Sequence, residues 1–235
     1  MRGIASFLAG AWIVTASLTG ATAASLGLAS SNGSIAGRGA PHYVQNNAAP
    51  GRRSALHKYP QAEGPAKVYL LRGFLNVFSL GMDDLAAKLE ADGISATVTN
   101  HADADVIASQ IVTAYTSGDH GPIILVGHSL GADAIVEVAD AVARYNIPIA
   151  LLVLFDGTES HQIPANVANA INYTKHFMIT PAIGSSGQVS NVDFSSDASI
   201  DHLSIDRNLS LQTQTVNYIL QVASAVQREP VSRRR

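Results

Sequence analysis

Cysteine is absent from this chain of 235 residues. Its absence excludes disulfide bonds, thiolate metal sites, a cysteine nucleophile and a lipid-modified N-terminal cysteine. Charge is also scarce: 14% of the residues are charged and the formal net charge is -3, so nothing indicates a nucleic-acid partner. No H-x-x-x-H helix or similarly spaced set of ligands appears, so the sequence predicts neither a metal site nor a cofactor.

The first residues have the pattern of a signal peptide. A positive start at Met1-Arg2 precedes a mostly apolar run from Ile4 to Leu18, and an A-x-A cleavage pattern ends at Ala23. We therefore expect residues 1–23 to be removed and the protein to be exported to the periplasm or the medium. The alternative is an uncleaved membrane anchor, because the uncharged run continues to Arg38. Its many small and hydroxyl residues make a weak span, so we expect no stable membrane span after cleavage.

Hydrophobic residues make up 47% of the full sequence, which is typical of a globular protein. The length that remains after the signal peptide suits a single domain between two less regular ends. Residues 24–64 are rich in Gly, Ala, Asn, Ser and Pro without a sustained period, which predicts a flexible linker or arm. Residues 228–235 end in three arginines and predict a solvated basic tail. The folded domain is therefore expected over residues 65–227.

Strand and helix patterns alternate through this domain. Such alternation predicts an α/β fold with a mainly parallel, doubly wound sheet and helices on both faces. Strands are expected at 67–71, 94–98, 123–126, 149–155, 176–180 and 189–194, and helices at 82–92, 104–115, 132–145, 167–171 and 209–226.

A candidate nucleophile lies where a buried strand meets a helix. The apolar run from Pro122 to Val126 ends in G-H-S-L-G, and an alanine-rich helical pattern follows. A serine between two glycines at such a junction can project its hydroxyl from a sharp turn. Ser129 is therefore the predicted nucleophile, and the backbone N–H of Leu130, near the helix N-terminus, is a predicted oxyanion donor. The alternative is a glycine-rich turn with an incidental serine.

A serine hydroxyl needs a base, and eight histidines compete for that role. His202 lies in a loop after the last expected strand and before the C-terminal helix. Loops at the carboxyl ends of the strands surround the site of such a sheet, and the order Ser, acid, His accompanies this turn. His202 is therefore the predicted base. His128 adjoins Ser129, but neighbouring side chains point in different directions. The others are His42, His57, His101, His120, His161 and His176.

The acid is expected between the serine and the histidine. Asp156 directly follows an apolar strand, so it lies at a carboxyl end, from which it could orient His202 and stabilise the imidazolium. The alternative role of Asp156 is to cap a turn with the residues after it. Asp193, Asp197 and Asp201 remain as candidates, although Asp193 is expected inside a strand and Asp201 adjoins the histidine.

The loop after the first strand is expected to supply the second oxyanion donor. Gly73 lets the backbone turn sharply, so the N–H of Phe74 or Leu75 could face the site, with Asn76 and Ser79 as polar alternatives. Phe74, Asn76 and Phe78 are predicted to contact the substrate. The simpler interpretation of the apolar side chains is core packing.

These residues resemble the α/β-hydrolase superfamily over residues 67–226, and more narrowly small exported bacterial hydrolases of the thioesterase or lipase type. The match comprises the stretch from Arg72 to Asp83, the stretch from Gly127 to Asp133, and the segment from His202 to Asp206. The resemblance implies Ser129 as nucleophile and His202 as base, acting on a small acyl ester or thioester. The chain departs at the acid, which commonly follows the next strand. The chain is also small, with no inserted lid long enough to resemble an interfacial lipase.

The sequence therefore predicts a serine hydrolase that works through an acyl-enzyme. Two alternatives stay open. One is an acyltransferase that uses the same three residues, and the other is a non-catalytic binding protein with a hydrolase fold.

Overall fold

The computed structural model describes residues 63–74 and 79–226. The predicted signal peptide, most of the predicted linker, the basic tail, and Leu75, Asn76 and Phe78 lie outside the described residues. Among the helices in the described part, none is long and apolar enough to cross a membrane.

The main sheet has six parallel strands in the order β2-β1-β3-β4-β6-β8, and β5 and β7 form a separate parallel pair. This arrangement confirms the predicted fold class. The strands are β1 (Lys67–Arg72), β2 (Ala96–Asn100), β3 (Ile123–His128), β4 (Leu151–Phe155), β5 (His161–Ile163), β6 (Asn169–Thr174), β7 (Ile179–Pro181) and β8 (Gln188–Asp193). The α-helices are α1 (Gly81–Ala91), α2 (Ala104–Thr116), α3 (Leu130–Ala143) and α4 (Leu209–Val226).

The central strands are buried on both faces because helices cover both sides of the sheet. Alternate residues of β3 belong to different cores: Leu125 packs with α2 and α3, and Val126 packs with α1 and α4. This two-sided burial explains why β3 and β4 are continuous apolar runs in the sequence instead of alternating ones.

The strand order reverses direction between β1 and β3. From β1 the chain passes outward to β2, returns to β3 and then continues to the other edge of the sheet. In such sheets the crevice beside the carboxyl ends at the reversal is where ligands bind. Gly73 follows β1 and Ser129 follows β3, so both lie at this crevice.

Two predicted elements in the second half are wrong. The chain forms no helix at 167–171, where β6 begins at Asn169, and 176–180 is a strand only from Ile179 onward. A five-residue apolar window fits a buried strand as well as a helix. Pairing of β6 with β4 and β8 decides for the strand.

Candidate active site

Ser129 lies on a sharp turn between β3 and α3. Its backbone has φ 56° and ψ −128°, a strained combination for a residue with a side chain. The flanking glycines allow the turn, because a Cβ on Gly127 would lie 2.1 Å from the carbonyl oxygen of Gly131, and a Cβ on Gly131 would lie 2.1 Å from that of Leu71. Strand and helix thus approach each other too closely for any side chain at either position.

Three side chains form a continuous line of hydrogen bonds at this turn. Ser129 Oγ lies 3.0 Å from His202 Nε2, and His202 Nδ1 lies 2.8 Å from Asp156 Oδ2. Since the carboxylate only accepts, Nδ1 carries the proton and Nε2 presents its lone pair to the serine hydroxyl. The structure therefore brings Ser129, His202 and Asp156 together in the order that a nucleophile, base and acid require.

The pKa values of His202 and Asp156 follow from their burial and from the hydrogen bond between them. The hydrogen bond to Asp156 holds the pKa of His202 above its ordinary value, against the effect of burial. Burial by itself would raise the pKa of Asp156. Hydrogen bonds from His202 and from the backbone N–H of Lys175, together with nearby His176, outweigh it and keep the pKa below the usual value. Asp156 is therefore ionised, as a group that stabilises an imidazolium must be.

Asp156 is fully buried, and both of its carboxylate oxygens accept hydrogen bonds. Its Oδ1 accepts the N–H of Lys175 at 2.8 Å, which leaves Oδ2 for the histidine. After Asp156 the chain turns through Gly157 to Thr158, whose N–H and hydroxyl both donate to Asp133 on α3. His161 binds the same carboxylate at 2.8 Å. Asp133, which is part of the G-H-S-L-G-A-D stretch, thus anchors the loop that carries Asp156.

The ring of His128 is hydrogen-bonded to the backbone of His202 and to the side chain of Ser79. Its Nε2 lies 2.8 Å from the backbone oxygen of His202, which can only accept, so Nε2 donates and Nδ1 accepts. Nδ1 receives the hydroxyl of Ser79 at 2.8 Å, and that hydroxyl accepts the N–H of Gly73 at 2.9 Å. Burial lowers the pKa of His128 to about 4, so the ring is neutral as this pattern requires. One chain of bonds therefore joins the loop after β1 to the loop of His202.

Asp206 lies beside these hydrogen bonds but is not part of the series. Its Oδ2 accepts the N–H of Gly81 at 3.0 Å and is 3.7 Å from His128 Nδ1, while its Oδ1 is buried and has no hydrogen-bond partner among the described residues. Desolvation raises the pKa of Asp206 to about 6. The folded protein therefore keeps this proton over a pH range in which the unfolded chain has lost it.

Replacing Asp206 by asparagine is expected to change how stability depends on pH. The protonated carboxyl of Asp206 contributes to the stability of the wild-type protein, and this contribution is lost as the pH rises from about 4 through 6. An amide does not titrate, so the variant has no such loss. The free energy of unfolding of Asp206→Asn relative to wild type should rise by about 2 kcal/mol between pH ~4.5 and pH ~8. Urea unfolding at a series of pH values measures this difference. A difference that is the same at every pH would contradict the buried titration.

The predicted oxyanion donors are only partly within the described residues. Leu130 is the first residue of α3, so its N–H has no acceptor within the helix. Gly73 lies against the turn, since a Cβ there would be 2.9 Å from Ser129 Cβ. The Gly73 N–H is already bound to Ser79, so Ser79 supports the loop and its hydroxyl is engaged there. Phe74 follows with its side chain 60% exposed, and Leu75 is outside the described residues.

Arg72, Gly81 and Asp83, which also belong to the stretch from Arg72 to Asp83, make contacts that explain why these residue types stand there. Arg72 Nε donates to Asp83 Oδ2 at 2.8 Å, which ties the end of β1 to the start of α1. A Cβ on Gly81 would lie 2.4 Å from the backbone oxygen of Asp206, so only glycine fits where α1 meets the loop after His202. The stretch therefore holds the loop around the site as well as supplying the predicted donor.

Several residues at the site were not predicted from the sequence. His176 Nδ1 lies 3.2 Å from the same Asp156 oxygen that His202 uses. The ammonium group of Lys175 donates hydrogen bonds to three backbone oxygens in the segment before His202, those of Phe194, Asp197 and Ile200. No local pattern marks either residue, because their partners are 19 to 25 positions away in the sequence.

The sequence predicts no metal site, and that prediction stays untested, but one group of side chains has the spacing that a metal ion needs. Asp156, His176 and His202 each offer a ligand atom, and these atoms all lie within 4.8 Å of one another. Sequence spacing does not reveal this cluster because its members come from the ends of two strands and a distant loop.

Two surface depressions in the described part of the chain lie away from Ser129. The larger is lined by α2, from Asp105 to Ser117, and the other by residues from Ala86 to Ala96. Neither includes Ser129, His202 or Asp156. Two of the three predicted substrate contacts, Asn76 and Phe78, lie outside the described residues.

Comparisons with known proteins add solved structures of similar fold, whereas no protein-family model and no curated protein matches the chain. One is a putative hydrolase of the alpha/beta superfamily from Xanthomonas campestris pv. campestris, with 16% identity over 69% of this chain and 99% of that one and a TM-score of 0.39. Another is a thioesterase of the prodiginine pathway in Streptomyces coelicolor, with 12% identity over 75% and 97% and a TM-score of 0.43. An acetyl xylan esterase has 13% identity over 68% and 99% and a TM-score of 0.40.

Proposed function

We propose that this protein is a serine hydrolase that cleaves an ester or thioester through an acyl-enzyme on Ser129. The observation that carries the proposal is the line from Ser129 Oγ through His202 to buried Asp156, with contacts of 3.0 and 2.8 Å, at the carboxyl edge of the sheet. The acyl ester or thioester class is the one implied by the family resemblance of the sequence.

The chemistry follows from the proton positions. His202 Nε2 takes the proton of Ser129 as Oγ attacks the substrate carbonyl, and Asp156 stabilises the imidazolium that results. The N–H of Leu130 and one from Phe74 or Leu75 hold the oxyanion. His202 then protonates the leaving group. Water repeats the sequence on the acyl-enzyme and regenerates the serine. These steps use no metal and no organic cofactor.

A fluorophosphonate probe tests the nucleophile directly. One covalent adduct per chain is expected, on the peptide that contains Ser129, because the probe requires a serine whose proton is accepted by a neighbouring base. Intact-mass and peptide mass spectrometry measure the adduct. Ser129→Ala should remain unlabelled, and Ser195→Ala, which removes an exposed serine, should label like the wild type. Absence of labelling in the wild-type protein would favour a non-catalytic binding protein.

Product analysis separates hydrolysis from acyl transfer. The acyl-enzyme releases a free acid when water attacks it and a new ester or amide when an alcohol or amine does. We expect the free acid to remain the main product when an acceptor is added. A switch to the acceptor product would assign the same three residues to an acyltransferase.

The pattern over residues 1–23 further leads us to propose that the enzyme acts outside the cytoplasm.

A further inference from the structure

We propose that Asp156, His176 and His202 form a binding site for Zn²⁺ that switches the hydrolase off. The site rests on these three side chains, and its inhibitory effect rests on the function proposed above. Imidazole and carboxylate are zinc ligands in proteins, and two histidines with one carboxylate are a known three-ligand set with a fourth position left for water.

The distances are close to those that a zinc ion requires. Zinc–nitrogen and zinc–oxygen bonds of about 2.0–2.2 Å place tetrahedral ligand atoms roughly 3.3 Å apart. Asp156 Oδ2 lies 2.8 Å from His202 Nδ1 and 3.2 Å from His176 Nδ1. The three ligand atoms all fall within 4.8 Å of one another. Zinc binding would therefore lengthen the contact between Asp156 and His202 slightly and hold the two nitrogens at roughly 3.3 Å from each other.

The burial of the three groups also suits an ion that enters from solvent. Asp156 is fully buried, and its other oxygen is occupied by the N–H of Lys175, so Oδ2 is the oxygen presented to both rings. The side chain of His176 is 55% exposed and that of His202 is 34% exposed. His176 can therefore turn toward an ion while the buried carboxylate stays in place.

Zinc at this site would deprive Ser129 of its base. In the line of hydrogen bonds, His202 Nδ1 carries the proton and Nε2 accepts from Ser129. A zinc ion bonds to the lone pair of Nδ1, so the proton of the neutral ring moves to Nε2 through solvent, and no proton is gained or lost overall. Nε2 then donates to Ser129 Oγ and cannot accept its proton. The ion also takes the Asp156 oxygen that would stabilise the imidazolium.

Two measurements at neutral pH on the full chain without a polyhistidine tag test the proposal. Calorimetric titration with Zn²⁺ should show one site per chain, both in the wild type and in Ser129→Ala. Turnover of a p-nitrophenyl ester by the wild type should fall as that site fills and return when EDTA is added. His176→Gln should weaken both zinc binding and inhibition by at least about tenfold, since it removes one of three ligands.

Inhibition is expressed as the ratio of turnover with and without zinc within each variant, so a change in zinc-free activity does not affect the comparison. His120→Gln is the matched control, because His120 contacts the backbone oxygen of Tyr115 and is not in the cluster. It should bind and respond to zinc like the wild type. Equal zinc affinity in His176→Gln and wild type, or stimulation by zinc, would overturn the proposal. Zinc binding by a chain that hydrolyses nothing would overturn the proposed function and leave the metal site standing.

Discussion

Ser129→Ala is expected to lower kcat for p-nitrophenyl ester hydrolysis by ~10⁴- to 10⁶-fold, with a smaller change in KM. The substitution removes the oxygen that attacks the carbonyl in the proposed mechanism, while the proposed oxyanion donors and the rest of the site remain. Residual turnover should come from these donors acting on bound substrate and water. Initial rates over a range of substrate concentrations measure both constants.

The folded state should survive this change, because alanine removes one oxygen from a side chain that is 8% exposed and leaves the strained backbone of the turn as it was. Thermal unfolding midpoints of the variant and the wild type provide the check. Ser195→Ala is again the matched control and should keep wild-type turnover. Full turnover by Ser129→Ala would show that another group attacks the substrate and would refute the proposed mechanism.

Asp156→Asn is expected to lower kcat by ~10³- to 10⁴-fold. The amide can keep the bond from Lys175 through its oxygen, but its NH₂ group would face His202 Nδ1. A donor at that place turns Nδ1 into an acceptor and moves the proton to Nε2, so His202 can no longer take the proton of Ser129. The rate of fluorophosphonate labelling should fall together with kcat, because both need the base.

Three other aspartates that the sequence left as candidates provide controls. Asp193, Asp197 and Asp201 each accept a backbone N–H two residues later, those of Ser195, Ser199 and Leu203. These bonds shape local turns, so Asp193→Asn and Asp197→Asn should keep activity close to that of the wild type. If Asp193→Asn abolished activity and Asp156→Asn did not, the acid would have to be reassigned.

The fold was predictable where a sequence pattern extended over a whole helix, strand or turn. The glycines around Ser129 mark a close strand–helix approach that the structure shows in atomic detail, and α4 has the bounds that its periodicity predicts. The segment 167–171 was not predictable, because five residues are too few to separate a buried strand from a helix. Pairing with β4 and β8, which lie on either side of β6, supplies the missing information.

The supporting residues of the site were not predictable for a different reason. His128 meets Ser79 across 49 positions, and Gly81 meets Asp206 across 125. His176 shares an oxygen of Asp156 with His202 only because β4 and β6 are neighbours in register. Each of these contacts depends on which strand ends lie side by side, and no short pattern in the sequence carries that information.

The sequence by itself determined the alternation of strands and helices, the turn at Ser129, and the order along the chain of serine, carboxylate and histidine. These features depend on residue patterns a few positions long. Only the tertiary structure decided that Asp156 lies within 2.8 Å of His202, that the ring of His128 bonds to the backbone oxygen of His202, and that His176 lies 3.2 Å from the same oxygen of Asp156. Those outcomes depend on strand order and register, which bring the ends of distant segments to one edge of the sheet.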